Sequence, residues 1–253
     1  MNLRQTEISK LLTSEQEVSV QDLAERFGVS QMTIRRDLSY LEDEGLAIRN
    51  HGGAIVAGKL RYLRGAIPEQ DGSSKSIAMG KLAATLISDG ETVMVDSGPF
   101  SFEVALQLPR DMGITLATTS LGVAQALYGS RVKILLLGGF LRDDSPSLFG
   151  PLTEQALVGL TVDTLFVDCD GADSREGFYV TDLHAASLKQ AMIRSSFRVV
   201  VVADSSKFNR RSFARFAVPQ QVQYLVTDSG ISPRDRANLE ERGVKVLIAE
   251  DED

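Results

Sequence analysis

From Ile77 to its end the chain keeps changing period, and this restricts the fold more than any other feature. Strand-length apolar runs alternate with helix-length stretches, which predicts a mostly parallel α/β sheet, because parallel neighbours need a helix-sized crossover between them. The runs are Thr92–Val95, Ile114–Thr118, Val132–Leu137, Thr164–Asp168, Val199–Ala203, Tyr224–Thr227 and Lys245–Ile248. Helices are predicted between them at Ile77–Ile87, Phe102–Leu108, Leu121–Leu127, Glu154–Leu160 and His184–Ser195. None of the apolar runs approaches the length of a membrane span.

The residues that follow the strands share a composition. Asp96-Ser97-Gly98, Thr118-Thr119-Ser120, Gly138-Gly139, Asp168-Cys169-Asp170-Gly171 and Asp204-Ser205-Ser206-Lys207 are small and polar. In an open parallel sheet the carboxyl ends of the strands line the ligand crevice, so these tips are expected to converge there. Glycines let a ligand approach the backbone, helix starts offer free N–H groups to an anion, and Lys207 adds a cation. A phosphorylated small molecule fits that chemistry. Asp, Gly and Ser are also ordinary loop formers, so any one tip taken alone reads as structure before it reads as a site. Cys169 reads as a small buried hydrophobe, and His184 as a cap or loop residue.

The N-terminal segment has a different pattern. Ser19 is placed to cap a short helix through Phe27, with Val20, Leu23, Ala24 and Phe27 as its apolar stripe. Gly28 is suited to end it, and Ser30 to cap a second helix from Gln31 to about Glu44, stopped by Gly45. On that helix Ile34, Leu38 and Leu41 share one face, while Met32, Arg36 and Ser39 point away and Thr33 and Arg35 flank them. Residues 46–54 then read as a strand and a Gly-Gly turn, the shape of a small β-wing. Two short helices joined at a glycine place the second one in the major groove, with base and phosphate contacts from Gln31, Thr33, Arg35 and Arg36, and from Arg49 and His51 on the wing. A helical hairpin with a solvated face, or a protein-interaction unit, would show the same periodicity. The net charge of −7 favours these alternatives, since phosphate neutralisation supplies most non-specific DNA affinity, so the DNA reading rests on where the positive charge sits.

At 253 residues the chain is long for one domain. We expect a winged helix-turn-helix over residues 1–57, an exposed connector over 58–76 marked by Pro68 and Asp71-Gly72-Ser73-Ser74, and an effector-sensing domain over 77–253. With one cysteine and two histidines, and no apolar leader at the N-terminus, a cytoplasmic protein with no metal, cofactor or membrane association is expected.

The run Val29-Ser30-Gln31-Met32-Thr33-Ile34-Arg35-Arg36-Asp37-Leu38, with Leu41, Gly45 and Arg49-Asn50-His51-Gly52-Gly53-Ala54, closely resembles the DeoR family of bacterial transcriptional regulators. The resemblance continues through Asp96-Ser97-Gly98, Thr118-Thr119-Ser120, Gly138-Gly139, Arg142, Asp170-Gly171, Lys189 and Asp204-Ser205-Ser206-Lys207-Phe208. It implies a sensor domain similar in fold to ribose-5-phosphate isomerase and a homo-oligomeric repressor, dimer or tetramer. Such a repressor would leave its double-stranded operator when a phosphorylated sugar binds. The DNA contacts implied are Ser30, Gln31, Thr33, Arg35, Arg36, Arg49 and His51. The implied ligand set is Asp96, Ser97, Gly98, Thr118, Thr119, Ser120, Gly138, Gly139, Arg142, Asp170, Gly171, Lys189 and Lys207.

Two positions depart from the family pattern. Pro99 stands where threonine is usual, with Ser101 as a substitute hydroxyl, and Ala185-Ala186 replace an acidic residue often found near Lys189. An enzyme is the rival reading: Asp170-Gly171-Ala172-Asp173 resembles a ribose-5-phosphate isomerase motif, and such an isomerisation needs a carboxylate base. The glycine-rich lysine segment that accompanies the motif in that enzyme is absent, and a DNA-reading module serves no isomerase, so no catalytic residues are assigned.

Overall fold

The computed structural model describes residues 3–15, 17–43, 47–50, 52–56, 74–143 and 145–250. The chain forms two compact units, Met1–Ala66 and Ile67–Asp253.

The first unit contains α1 (Leu3–Glu15), β1 (Glu17–Ser19), α2 (Val20–Phe27), α3 (Gln31–Asp43), β2 (Ala47–Asn50) and β3 (Gly53–Val56). Ser19 caps α2 as its sequence position predicts, its hydroxyl accepting from the N–H groups of Gln21 at 3.1 Å and Asp22 at 3.3 Å. Gly28 ends α2 at φ 62°, a left-handed conformation that a Cβ would strain. Ile34, Leu38 and Leu41 on α3 are fully buried and pack with Ile8, Leu12, Val18, Val20, Leu23, Ala47 and Ala54. The strands form an antiparallel sheet in the order β1-β3-β2. Gly53 is needed at this pairing, because a Cβ there would lie 1.9 Å from the Val18 carbonyl oxygen. Helix α1 and strand β1 are absent from the reading that begins at Ser19. Gly45 and His51, and most of the expected connector, lie outside the described residues.

Asp37 ties the added helix to α3. It is buried, and its carboxylate accepts from Arg4 Nε at 2.6 Å and Gln5 Nε2 at 3.1 Å. Replacing Asp37 removes the buried acceptor that both side chains share.

The second unit is built on seven parallel strands in the order β15-β14-β12-β9-β4-β5-β6. These are β4 (Thr92–Val95), β5 (Thr115–Thr118), β6 (Lys133–Leu136), β9 (Val162–Val167), β12 (Ser196–Val202), β14 (Tyr224–Asp228) and β15 (Lys245–Ala249). All seven expected strands are present, and the period-two alternation of their side chains feeds two separate cores. Val93, Val95, Leu116, Phe166, Val200, Val202 and Val226 pack on one face against α4 (Ser74–Ala84), α5 (Pro99–Leu106) and α6 (Leu121–Leu127). Met94, Ala117, Leu165, Val167, Val199, Val201 and Leu225 pack on the other against α7 (Pro151–Leu157), α8 (Leu183–Arg194) and α9 (Pro233–Glu240).

Two small antiparallel sheets complete the unit: β7 (Phe140–Leu141) with β8 (Leu148–Phe149), and β10 (Gly171–Asp173) with β11 (Gly177–Val180) and β13 (Ala214–Ala217). Among the described residues no helix is long and apolar enough to cross a membrane.

The strand order fixes where a ligand crevice belongs. From β4 the chain builds outward to β5 and β6, then returns to lay β9 on the other side of β4 and continues outward through β12, β14 and β15. The order reverses between β4 and β9, and the loops leaving their carboxyl ends part at that point.

Substituting Asp37→Ala is expected to destabilise the first unit by about 1–3 kcal/mol in urea unfolding. An unchanged midpoint would show that the Arg4–Asp37–Gln5 cluster contributes nothing net.

Candidate functional site

In the first unit the outward face of α3 carries the candidate nucleic-acid interface. Ser30 caps the helix, its hydroxyl accepting from the Thr33 N–H at 3.2 Å and lying 2.9 Å from the Thr33 hydroxyl. Burial of Ile34, Leu38 and Leu41 turns Gln31, Arg35 and Arg36 to solvent. Neither arginine has an ion pair among the described residues, so both guanidinium groups are available to an external partner. Met32, which the expected contact set omits, is 71% exposed in the same first turn. An apolar side chain there suits contact with a thymine methyl group. Arg49 lies in β2 opposite Ala54.

In the second unit the reversal point brings two carboxylates and an ammonium together below the surface. Asp96 leaves β4 and Asp168 leaves β9, and both are buried. The strand register requires their proximity: Val95 sits opposite Phe166, the Asp96 N–H donates to the Phe166 carbonyl at 3.0 Å, and the Asp168 N–H donates to the Asp96 carboxylate at 3.3 Å. Lys189, one face of α8, reaches down and donates to Asp96 Oδ2. Burial works against the Lys189 charge, but Asp96 and Asp168 outweigh it and hold its pKa above the usual value.

Asp168 faces the start of α5. Its carboxylate accepts from the Phe100 N–H at 2.7 Å, the Ser101 N–H at 2.8 Å and the Ser101 hydroxyl. Gly98 makes this approach possible, because a Cβ at that position would lie 2.3 Å from the Asp168 carboxyl carbon. Pro99 occupies the first turn of α5, where its missing N–H costs nothing. Burial, reinforced by the neighbouring Asp96 charge, raises the Asp168 pKa to about 6.

Other expected ligand residues gather around this centre. Asp96, Ser97, Arg142 and Lys189 line a cavity of about 50 Å³ with Ser147, Phe149 and His184. Arg142 donates to Asp182 at 2.8 Å and lies over the Phe149 ring at 5.7 Å. Lys207 is partly buried in a short turn, Ser205–Lys207; its ammonium has no side-chain partner among the described residues, and its charge is felt at Cys169. Burial and Asp168 push the Cys169 thiol up to about 12, which leaves it inert.

Most of the remaining expected residues are engaged in local structure. Thr118 accepts from the Ser120 N–H, and Ser120 caps α6 through the Val123 N–H. The Thr119 hydroxyl is buried with no hydrogen-bond partner among the described residues. Gly138 and Gly139 seat the β7–β8 flap: Thr153 donates to the Gly138 carbonyl at 2.7 Å, and a Cβ on Gly139 would lie 2.0 Å from the Thr153 hydroxyl oxygen. Asp170 accepts from the Thr181 N–H and hydroxyl, and Gly171 backs onto the Arg210 carbonyl, where a Cβ would approach to 2.0 Å.

A further cavity of about 190 Å³ lies beside the start of α5, lined by Lys75, Ser76, Met79, Phe100, Ser205, Ser206 and the carboxylates Asp204 and Asp228. Lys75, which the sequence reading assigned to the connector, sits in the first turn of α4 and pairs with Asp228 at 3.4 Å. Its only signal in the sequence was its place ahead of the Ile77 helix.

The isomerase motif is spent on structure. Although burial opposes it, the Arg175 and Glu176 N–H groups and the Arg211 guanidinium hold Asp173 below the usual carboxylate range, where it is a poor general base. Asp170, as above, closes the loop to Thr181.

Comparison with known proteins decides the family. Residues 4–59 match the DeoR-like helix-turn-helix domain, and residues 73–229 match the DeoR C terminal sensor domain. The chain belongs to the DeoR family. A putative aga operon transcriptional repressor of Escherichia coli is 34% identical over 249 residues, covering 97% of this chain and 93% of the relative. The transcriptional regulator GlpR of Haloferax volcanii is 32% identical and covers 96% of both chains. The glycerol-3-phosphate regulon repressor of Escherichia coli is 29% identical over 227 residues, covering 89% of this chain and 90% of the relative. Ribose 5-phosphate isomerase A from Neisseria gonorrhoeae is similar at 13% identity and a TM-score of 0.40, over 54% of this chain and 53% of the isomerase. This DeoR-family chain is therefore a DNA-binding transcriptional regulator with an α/β sensor unit.

The raised Asp168 pKa fixes a sign for the sensor unit of this DeoR-family regulator. The fold binds the Asp168 proton more tightly than the unfolded chain does, between the ordinary value of 3.8 and about 6. Its contribution to stability is therefore full below the lower value and lost as pH rises through the upper one. The cost of Asp168→Ala in urea unfolding is expected to be larger near about pH 4.5 than near about pH 7.5. A cost that grows with pH would contradict the assignment.

Proposed function

We propose that this regulator is a repressor of carbohydrate-metabolism genes, homo-oligomeric and released from its operator by a phosphorylated sugar. Residues 1–57 read the DNA, 58–76 connect, and 77–253 sense the effector. The observation that carries the DNA-reading half is α3: a capped helix with its apolar stripe buried and Gln31, Met32, Arg35 and Arg36 exposed in its first two turns. Ser30, Thr33, Arg49 and His51 complete the proposed contact set, with Ser30 and Thr33 setting the entry of the helix and the wing residues reaching backbone.

The sensing half is supported by a buried ammonium at the strand reversal point, an α5 N-terminus that binds a carboxylate, Arg142 and Lys75 in the linings of the two cavities, and Lys207, whose charge is felt at Cys169. A sugar phosphate offers an anionic group for the helix start and cations, and hydroxyls for carboxylates such as Asp96. A relative named for a glycerol-3-phosphate regulon supports a small phosphorylated metabolite as effector. The two ligands are linked: if the effector prefers one arrangement and DNA the other, each weakens the other by the same factor.

Two sets of variants test the halves separately. Arg35→Ala and Arg36→Ala are each expected to weaken operator binding, by about 1–3 kcal/mol for a base-contacting arginine, while the oligomer measured by light scattering is unchanged. Undiminished binding would misplace the recognition helix. Lys207→Ala is expected to keep operator affinity and to need more effector for release; wild-type sensitivity to effector would remove Lys207 from the site.

A further inference from the structure

The N-terminus of α5 already holds an anion, and that anion belongs to the protein. The Phe100 N–H, the Ser101 N–H and the Ser101 hydroxyl all donate to Asp168, and Gly98 lacks the side chain that would keep the carboxylate out. These are the donors that a helix start offers to a phosphate. Phe100 also borders the cavity that Lys75, Ser205, Ser206 and the carboxylates Asp204 and Asp228 line, so an anion on that side meets two further negative charges as well as one cation.

The charge count agrees with the geometry. From β4 comes Asp96, from β9 Asp168, and from α8 Lys189, which bonds Asp96; Asp170 is also felt at Lys189, and Lys207 at the neighbouring Cys169. With both carboxylates ionised, the three central groups sum to one net negative charge. A phosphate arriving at α5 meets donors that are taken and a like charge beside them.

We infer that Asp168 is an internal competitor for the effector's anionic group. It holds the α5 donors in the free sensor, and an anionic ligand engages them only when the carboxylate is displaced or protonated. Asp168 thereby sets the effector concentration at which the sensor responds, and it selects against small anions that bring no further contacts to offset the displacement. The inference rests on the sugar-phosphate reading above.

Inorganic phosphate is the probe, titrated calorimetrically at constant ionic strength into the full chain, its Asp168→Ala and Asp168→Asn variants, and Asp163→Asn. The last variant removes a charge from the opposite end of β9. Both Asp168 variants are expected to bind phosphate about tenfold or more tighter than wild type, with Asp163→Asn unchanged. Asp168→Asn keeps the side-chain size and one acceptor, and it carries the test if the alanine variant fails to fold. Equal or weaker binding by the Asp168 variants, no binding by any protein, or the same gain in Asp163→Asn would each overturn the inference. Release of wild-type protein from DNA by sugar phosphates is scored separately. Tighter phosphate binding without any such release would sustain the inference and sink the effector reading.

Discussion

Lys189 is an ammonium buried from solvent, and it stays charged because strand tips place Asp96 and Asp168 around it. Breaking such a group by removing one member leaves an uncompensated charge in a low dielectric, a heavy penalty for a domain of marginal stability. Much of the sensor unit is arranged around this cluster. The register of β4 against β9 sets the two carboxylates side by side, and Asp168 in turn fixes the start of α5. Lys189 holds α8 over the reversal point, where Ala185 and Leu188 from the same helix line the cavity.

The fold was largely legible because its central strands are buried on both faces, while β6 at one edge is mostly exposed yet still apolar. Buried strands are short continuous runs of Val, Ile, Leu and Phe between polar tips, so their positions survive without knowledge of tertiary contacts. The small sheets were not legible. β7, β8 and β10 are two or three residues long and have no period to detect. Helix α1 was also passed over: Ile8 and Leu12 carry its buried stripe, but Gln5, also buried, is polar and pairs with Asp37 instead. α1 is recognisable only once Asp37, a buried acid on the next helix face, is known to need partners.

The site was legible in kind more than in detail. The tips of β4 and β9 meet at the reversal point, yet the acid that fills the centre is Asp168, while Asp170 two residues later turns to Thr181. Composition treats those two residues alike. What separates them is the pairing of Val95 with Phe166, a register that no local pattern encodes. Similarly, the sequence offers Ser101 as a substitute hydroxyl for an absent threonine, but that hydroxyl donates to Asp168.

The central claim joins the two units: one chain reads DNA, and a metabolite at the strand tips governs that reading. Fluorescence anisotropy on DNA from the protein's own upstream region, with excess competitor DNA and a panel of sugar phosphates added to the preformed complex, tests it most directly. The account predicts competitor-resistant binding that one phosphorylated sugar releases, with the affinity of that sugar weakened by the same factor when operator is present. Binding no tighter than to random DNA, with or without any sugar phosphate, would contradict it.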